Sequence, residues 1–258
     1  QEQDGDVWVL EGRLDAVEWT FAPPSPWSSP ATIAEGEAFP GFPTLTIDNQ
    51  GHAHVMWSAA PATGQSGSVL YYSQRVETSW SRPVAVMGME ELIAQTPALV
   101  FAEPFLHAVW SGGPTGAVFY SRSYPGDALT PSSWSAPVML SEFAAGSAPA
   151  LTVDLPGRLH VVYAVPFNEG RGVYYLRTED KGESWQEAVR LFDAVAEEWP
   201  SVDHPGVAVD EHGVIHVVWV RAPLPGYGLS QGVYYARSTD QGETWTRALL
   251  LANGAYDW

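Results

Sequence analysis

The sequence predicts an all-β fold, a β-propeller of four-stranded antiparallel blades, and three observations predict it. Short runs of alternating apolar residues are broken throughout by Gly, Pro and Asp turns, which is strand rather than helix patterning. The 21 Pro and 24 Gly are too many for long helices, while the 12 Trp and 11 Tyr suit strands. The chain also repeats itself with a period of about fifty residues, as blades do when they bury a core only by stacking on their neighbours.

The first repeat is partial. "DVWVLEG" (6–12) matches a second strand, B, and "AVEWTFAPPSPWSSP" (16–30) matches strands C and D, with Trp27 in a recurring Trp position. Four fuller repeats follow, opening with "PTLTIDNQGHAHVMW" (43–57), "PALVFAEPFLHAVW" (97–110), "PALTVDLPGRLHVVY" (149–163) and "PGVAVDEHGVIHVVW" (205–219). Each opening gives strands A and B, and strand C follows as "SVLYYSQR", "AVFYSR", "GVYYLR" or "GVYYAR". A turn and a Trp then lead into strand D, at Trp80, Trp134, Trp185 and Trp245.

Five repeats are recognisable in one propeller domain over 1–258, with blades near 6–34 (partial), 41–88, 96–140, 148–192 and 205–252. Strand A of the first repeat is missing, and the spacing from Trp27 to Thr44 puts the equivalent strand beyond Trp258. The ring closes irregularly, or these residues belong to a longer chain with a sixth blade; the second is the expectation.

Composition excludes several functions. Lys+Arg number 12 against 30 Asp+Glu, a formal net charge of −18, and a field of that sign disfavours nucleic acid and anionic membrane surfaces. There is no cysteine, so thiolate metal sites are excluded. No apolar run reaches membrane-spanning length, and no metal or cofactor is expected. Four equivalent histidines, His54, His107, His160 and His216, recur at spacings of 53, 53 and 56 residues. They are read as packing and hydrogen-bonding residues, because equivalent places around a ring cannot converge on one site.

Two octapeptides between strands C and D, "TEDKGESW" (178–185) and "STDQGETW" (238–245), invite a chemical reading. Asp and Ser/Thr side chains clamp tight turns by bonding main-chain N–H groups, Gly permits positive φ, and Trp fills an apolar site. The motif offers too few oxygens for a calcium loop. Ser238, Asp240, Gly242 and Trp245, with Thr178, Asp180, Gly182 and Trp185, resemble the Asp-box (BNR repeat) of the sialidase-like β-propellers. The resemblance implies that the ligand face is built from D–A and B–C loops and that the Asp-boxes lie on the opposite face.

Function is therefore expected where the repeats differ. The candidates are Glu169 and Arg171 in one B–C loop, Arg221 and Tyr227 in the next, and Glu198, Trp199, Asp203 and His204 in a long D–A segment. Carboxylates and arginines around an aromatic platform suit sugar binding. A sialidase is further expected to have an Arg-Ile-Pro string, which is absent, a Tyr–Glu nucleophile pair, which is not evident, and three converging arginines. Arg13, Arg171 and Arg221 are the arginines at comparable places, but on loop tips. The expectation is a non-catalytic, exported recognition or scaffold module for a glycan or protein partner, within a larger chain or assembly. The alternative is a glycoside hydrolase, for which Glu169, Glu198 and Asp203 are the candidate carboxylates, since such chemistry needs two about 5–10 Å apart.

Overall fold

In a computed structural model of the chain, the described residues are 30, 32–33, 40–60, 67–88, 93–113, 116–141, 145–223 and 230–253, with the backbone of 2–3 and 6–7. Trp8, Arg13, Trp27 and Tyr227 lie outside them. Two compact units are distinguished, Gln1–Thr32 and Ile33–Trp258. In the first, strands β1 (Glu2–Gln3) and β2 (Asp6–Val7) pair antiparallel.

The second unit holds four antiparallel sheets in chain order, one for each fuller repeat. Blade two comprises β3 (Gly41–Ile47), β4 (Ala53–Ala59), β5 (Val69–Val76), β6 (Ser79–Trp80) and β7 (Val84–Met87), with both β6 and β7 on β5. Blade three comprises β8 (Ala94–Ala102), β9 (Phe105–Gly112), β10 (Ala117–Ser123) and β11 (Val138–Met139). Blade four has β12 (Ser147–Val153), β13 (Leu159–Val165), β14 (Gly172–Thr178) and β15 (Val189–Asp193). Blade five has β16 (Ser201–Val209), β17 (Ile215–Ala222), β18 (Gly232–Ser238) and β19 (Leu249–Asn253). The fold is an all-β propeller of four-stranded antiparallel blades, as the sequence predicts.

Three apolar clusters span neighbouring blades, beside a smaller one of Trp57, Ala59 and Tyr71 within blade two. One apolar cluster joins Met56, Leu70 and Tyr72 of blade two to Leu106, Trp110 and Trp134 of blade three. A second joins Val118 and Tyr120 of blade three to Val161 and Leu176 of blade four, and a third joins Val173 and Tyr175 of blade four to Ile215 and Trp219 of blade five. The A strands of neighbouring blades pack together, and Leu99 N and Phe101 N of β8 donate to Thr44 Oγ1 and Thr46 Oγ1 of β3.

Each strand A starts earlier than predicted, because it runs through a bulge. The register shifts between Gly41 and Thr44, Gln95 and Ala98, Ser147 and Ala150, and Asp203 and Gly206. Inside each bulge a non-glycine residue has positive φ (Phe42 53°, Thr96 49°, Ala148 45°, His204 49°), and a proline follows it every time. The proline has no N–H to leave unpaired where the ladder is broken. Asp203 and His204, expected in a loop, therefore lie in a strand at its bulge.

Candidate functional site

The repeated residues carry much of the buried polar chemistry among the described residues. In every described blade the strand-B histidine meets a strand-C tyrosine: His54 Nδ1 is 2.6 Å from the Tyr72 hydroxyl, and the His107–Tyr120, His160–Tyr175 and His216–Tyr235 pairs are each at 2.8 Å. On the other side of the ring, Asp154 Oδ2 is 3.2 Å from His160 Nε2 and Asp210 Oδ2 is 3.3 Å from His216 Nε2. In blade three the Ala102 carbonyl oxygen takes that place at 3.2 Å. A carbonyl only accepts, so His107 Nε2 carries the proton and Nδ1 accepts from Tyr120. Burial pushes the His107 pKa down to about 4, which keeps the ring neutral.

The octapeptides are clasps between blades. Thr178 Oγ1 donates to Asp180 Oδ1 at 2.6 Å and accepts from Gly182 N at 3.1 Å; Ser238 makes the same bonds with Asp240 and Gly242 at 2.7 and 2.8 Å. Asp180 and Asp240 also receive the main-chain N–H and the hydroxyl of Ser184 and Thr244. Those hydroxyl positions escaped the sequence reading, although both octapeptides carry a hydroxyl residue there. Burial opposes ionisation of Asp180, yet the Ser184 bonds outweigh it and hold its pKa to about 2; the Thr244 hydroxyl and N–H do the same for Asp240.

The glycines are dictated by the preceding blade. A Cβ on Gly182 would lie 1.8 Å from the Tyr120 hydroxyl, and one on Gly242 would lie 2.1 Å from Tyr175 Cε1. Trp185 and Trp245 pack edge-on against the same two tyrosines, with centroids 4.9 and 5.1 Å apart. Arg122 Nη1 donates to the Lys181 carbonyl at 2.5 Å, and Arg177 Nη1 donates to that of Gln241. These residues build the junctions between blades.

The loop candidates gather around one buried ring. Trp199 is 6% exposed, packed against Phe192 and Tyr234, with the Arg221 guanidinium 5.3 Å from its centroid. The expected aromatic platform is thus a floor: the exposed turn Val195–Glu198 is followed by Trp199, which folds inward, with Trp199 N donating to Ala194 O at 2.8 Å. Arg171 Nε donates to the Trp199 carbonyl at 2.8 Å and Nη1 to the Asn168 carbonyl at 3.2 Å. Glu169 and Glu198 are exposed nearby in sequence, and Glu198 has φ 56°. Asp203 pairs with the exposed His204, Oδ2 to Nδ1, at 3.3 Å. Arg171, Trp199 and Arg221 are brought together; no contact joins Glu169, Glu198 and Asp203 to one another among the described residues. Nor is there a cluster of three His, Cys, Asp or Glu able to hold a metal ion among them.

No protein-family model and no curated protein sequence matches the chain. Solved structures do. A protein of Dyadobacter fermentans DSM 18053 is similar at a TM-score of 0.63 and 17% identity, over 84% of this chain and 70% of that one. The leech intramolecular trans-sialidase is similar at 0.62 and 10% identity, over 88% of this chain and 54% of that one. The catalytic domain of the Coprinopsis cinerea GH62 α-L-arabinofuranosidase is similar at 0.51 and 15% identity, over 84% and 70%. The chain spans about half the length of the leech enzyme. At such identities the likeness is one of fold.

Proposed function

We propose that this chain is an exported, non-catalytic recognition or scaffold module of the sialidase-like, Asp-box kind, whose B–C and D–A end binds a glycan or a protein surface. The carrying observation is the engagement of Arg171 and Arg221 with Trp199. One guanidinium is bonded to main-chain carbonyls and the other lies against a buried ring, which makes a rigid base rather than a free clamp for a substrate carboxylate. Glu169, Glu198, Asp203 and His204 are close to these residues in sequence, and Tyr227 follows Arg221. The bulge position adds variety at the same end of strand A, with Phe42, Thr96, Ala148 and His204 as counterparts, and bulges re-aim side chains at binding sites.

Two lines support the reading. The octapeptide turns have the bonds an Asp-box needs, and the fold is shared with proteins described as a trans-sialidase and an arabinofuranosidase. Among the described residues, the carboxyl groups whose pKa is displaced are displaced downward, at Asp48, Asp154, Asp180, Asp210 and Asp240. A glycosidase acid is instead displaced upward. A glycan array run beside fluorogenic glycosides, including a sialoside, tests the proposal. Binding without turnover is expected; turnover abolished by Glu198→Ala or Glu169→Ala would establish a glycoside hydrolase instead.

A further inference from the structure

We propose a second binding site, for a neutral mono- or disaccharide, in the cleft between blades two and three on the octapeptide face. It is remote from the residues gathered around Trp199 and does not rest on their role. The cleft has a volume of about 390 Å³ and is lined by Asp48, His52, Gln74, Glu103 and Tyr124, among others. That is the size of a small-ligand pocket.

The cleft exists because one clasp is missing. At the next two junctions the space over the strand-C tyrosine is filled by an octapeptide: Gly182 sits against Tyr120 and Gly242 against Tyr175. There the carbonyls of Lys181 and Gln241 accept from Arg122 and Arg177. At the junction of blades two and three, the chain after β10 instead forms two 3-10 turns, Pro125–Asp127 and Pro131–Ser133. Trp134 still packs on Tyr72, at 6.0 Å, but among the described residues the Tyr72 hydroxyl has His54 and Gln74 as its partners. The strand-C arginine has changed as well. Gln74 pairs with His54 in the register where Arg122 pairs with His107 and Arg177 with His160. A turn and the cation that would hold it are both replaced, and a polar cleft lined by Asp48, Gln74 and Glu103 is left.

Its free groups select the ligand. Asp48 is a buried anion already occupied by Gln50 N and His52 N at 2.9 Å, by the His52 ring at 3.2 Å and by His54 Nε2 at 3.3 Å. Burial opposes its ionisation, but those main-chain N–H groups outweigh it and hold its pKa low, so it stays charged and repels an anionic ligand. With His52 Nδ1 donating to Asp48, Nε2 is left as an acceptor. Gln74 Oε1 lies 3.3 Å from the Tyr72 hydroxyl, and its NH₂ is a donor. The exposed Glu103 adds an acceptor, and Tyr124, 52% exposed, has its ring fixed against Phe105 at 4.5 Å. Paired donors and acceptors beside a fixed aromatic ring match the vicinal hydroxyls and apolar C–H face of a neutral sugar.

The test is NMR titration of the isotope-labelled full chain with glucose, galactose, mannose, arabinose and lactose, with sialic and glucuronic acids alongside. At least one neutral sugar should bind at millimolar concentration, shifting the Gln74 side-chain amide and the His52 ring signals. Gln74→Arg, which installs the residue of the sister strands and so preserves the fold, should weaken that binding by about tenfold or more, and Tyr124→Ala should weaken it as well. Binding of the acids alone would overturn the proposal, as would indifference to Gln74→Arg. Loss with Glu198→Ala but not with Gln74→Arg would move the sugar to the other end and also overturn it. So would a TEDKGESW peptide that binds the cleft when no sugar does, since the cleft would then be a docking place for a peptide turn.

Discussion

Alanine at Gly182 and alanine at Gly157 ask the same thing of the backbone and different things of the neighbouring blade. The two glycines have φ of 86° and 89°, so each substitution costs about 1–2 kcal/mol for a left-handed L-residue. Nothing lies within 4 Å of a Cβ on Gly157, whereas one on Gly182 meets the Tyr120 hydroxyl at 1.8 Å and Cζ at 2.3 Å. Tyr120 is 1% exposed and bonded to His107, so it cannot swing away. Overpacking of this kind adds about 1–3 kcal/mol, giving about 2–5 kcal/mol for Gly182→Ala against about 1–2 for Gly157→Ala. Urea denaturation measures both, through a shift of midpoint at unchanged slope. A gap of about 1 kcal/mol or more is expected, equivalent to about 2–4 °C in Tm. Equal losses would refute the clasp. In a double-mutant cycle, Tyr120→Leu should recover much of the Gly182→Ala loss, because the two residues are in contact.

Further outcomes follow from the same geometry. His107 is neutral in the fold, with a pKa near 4, and binds a proton more readily unfolded, at about 6.5. Stability should fall as pH drops from about 6.5 toward 4, by at most about 3 kcal/mol from this group, and His107→Gln should flatten that slope in a pH series of denaturation midpoints. Asp180 and Asp240 act lower down: their depressed pKa values stabilise the fold above about 4 and the benefit is lost as pH falls toward about 2. Asp240→Asn should therefore reduce the acid sensitivity of hydrogen exchange at Gly242 and Thr244. Trp199→Ala should cost about 3–5 kcal/mol as a buried aromatic deletion, visible in thermal melts; a loss below about 1 kcal/mol would mean that the ring is not a packing residue.

Blade positions were legible in the sequence because a blade leaves marks at fixed intervals: an alternating strand B, a histidine, an aromatic pair, then a Trp. What was not legible is what those marks touch. The glycine of each octapeptide was read as a turn residue, but the clash that requires it comes from a tyrosine of the preceding sheet, Tyr120 for Gly182 and Tyr175 for Gly242. The Phe-Pro, Thr-Pro, Ala-Pro and His-Pro pairs at 42–43, 96–97, 148–149 and 204–205 were a signal available in the sequence. They mark the bulges, and would have placed His204 in a strand. For Trp199, local sequence gives no sign of which residue of an acidic turn faces inward; Phe192, Tyr234 and Arg221 decide that from elsewhere.

The sequence repeat and the cooperative unit are out of phase. A repeat runs from one strand A to the next, yet each clasp and each of the three larger apolar clusters straddles the boundary between two repeats. A duplicated or deleted blade therefore arrives with one half of a junction at each side, and it fits only where its neighbours offer the complementary halves. Erosion is coupled in the same way. A turn without the glycine and aspartate gives the arginine facing it from the previous blade no task, and Gln74 and the altered connection after β10 occur together in this way. New binding chemistry in this architecture can then arise without any insertion, simply where two adjacent repeats have forgotten the same contact.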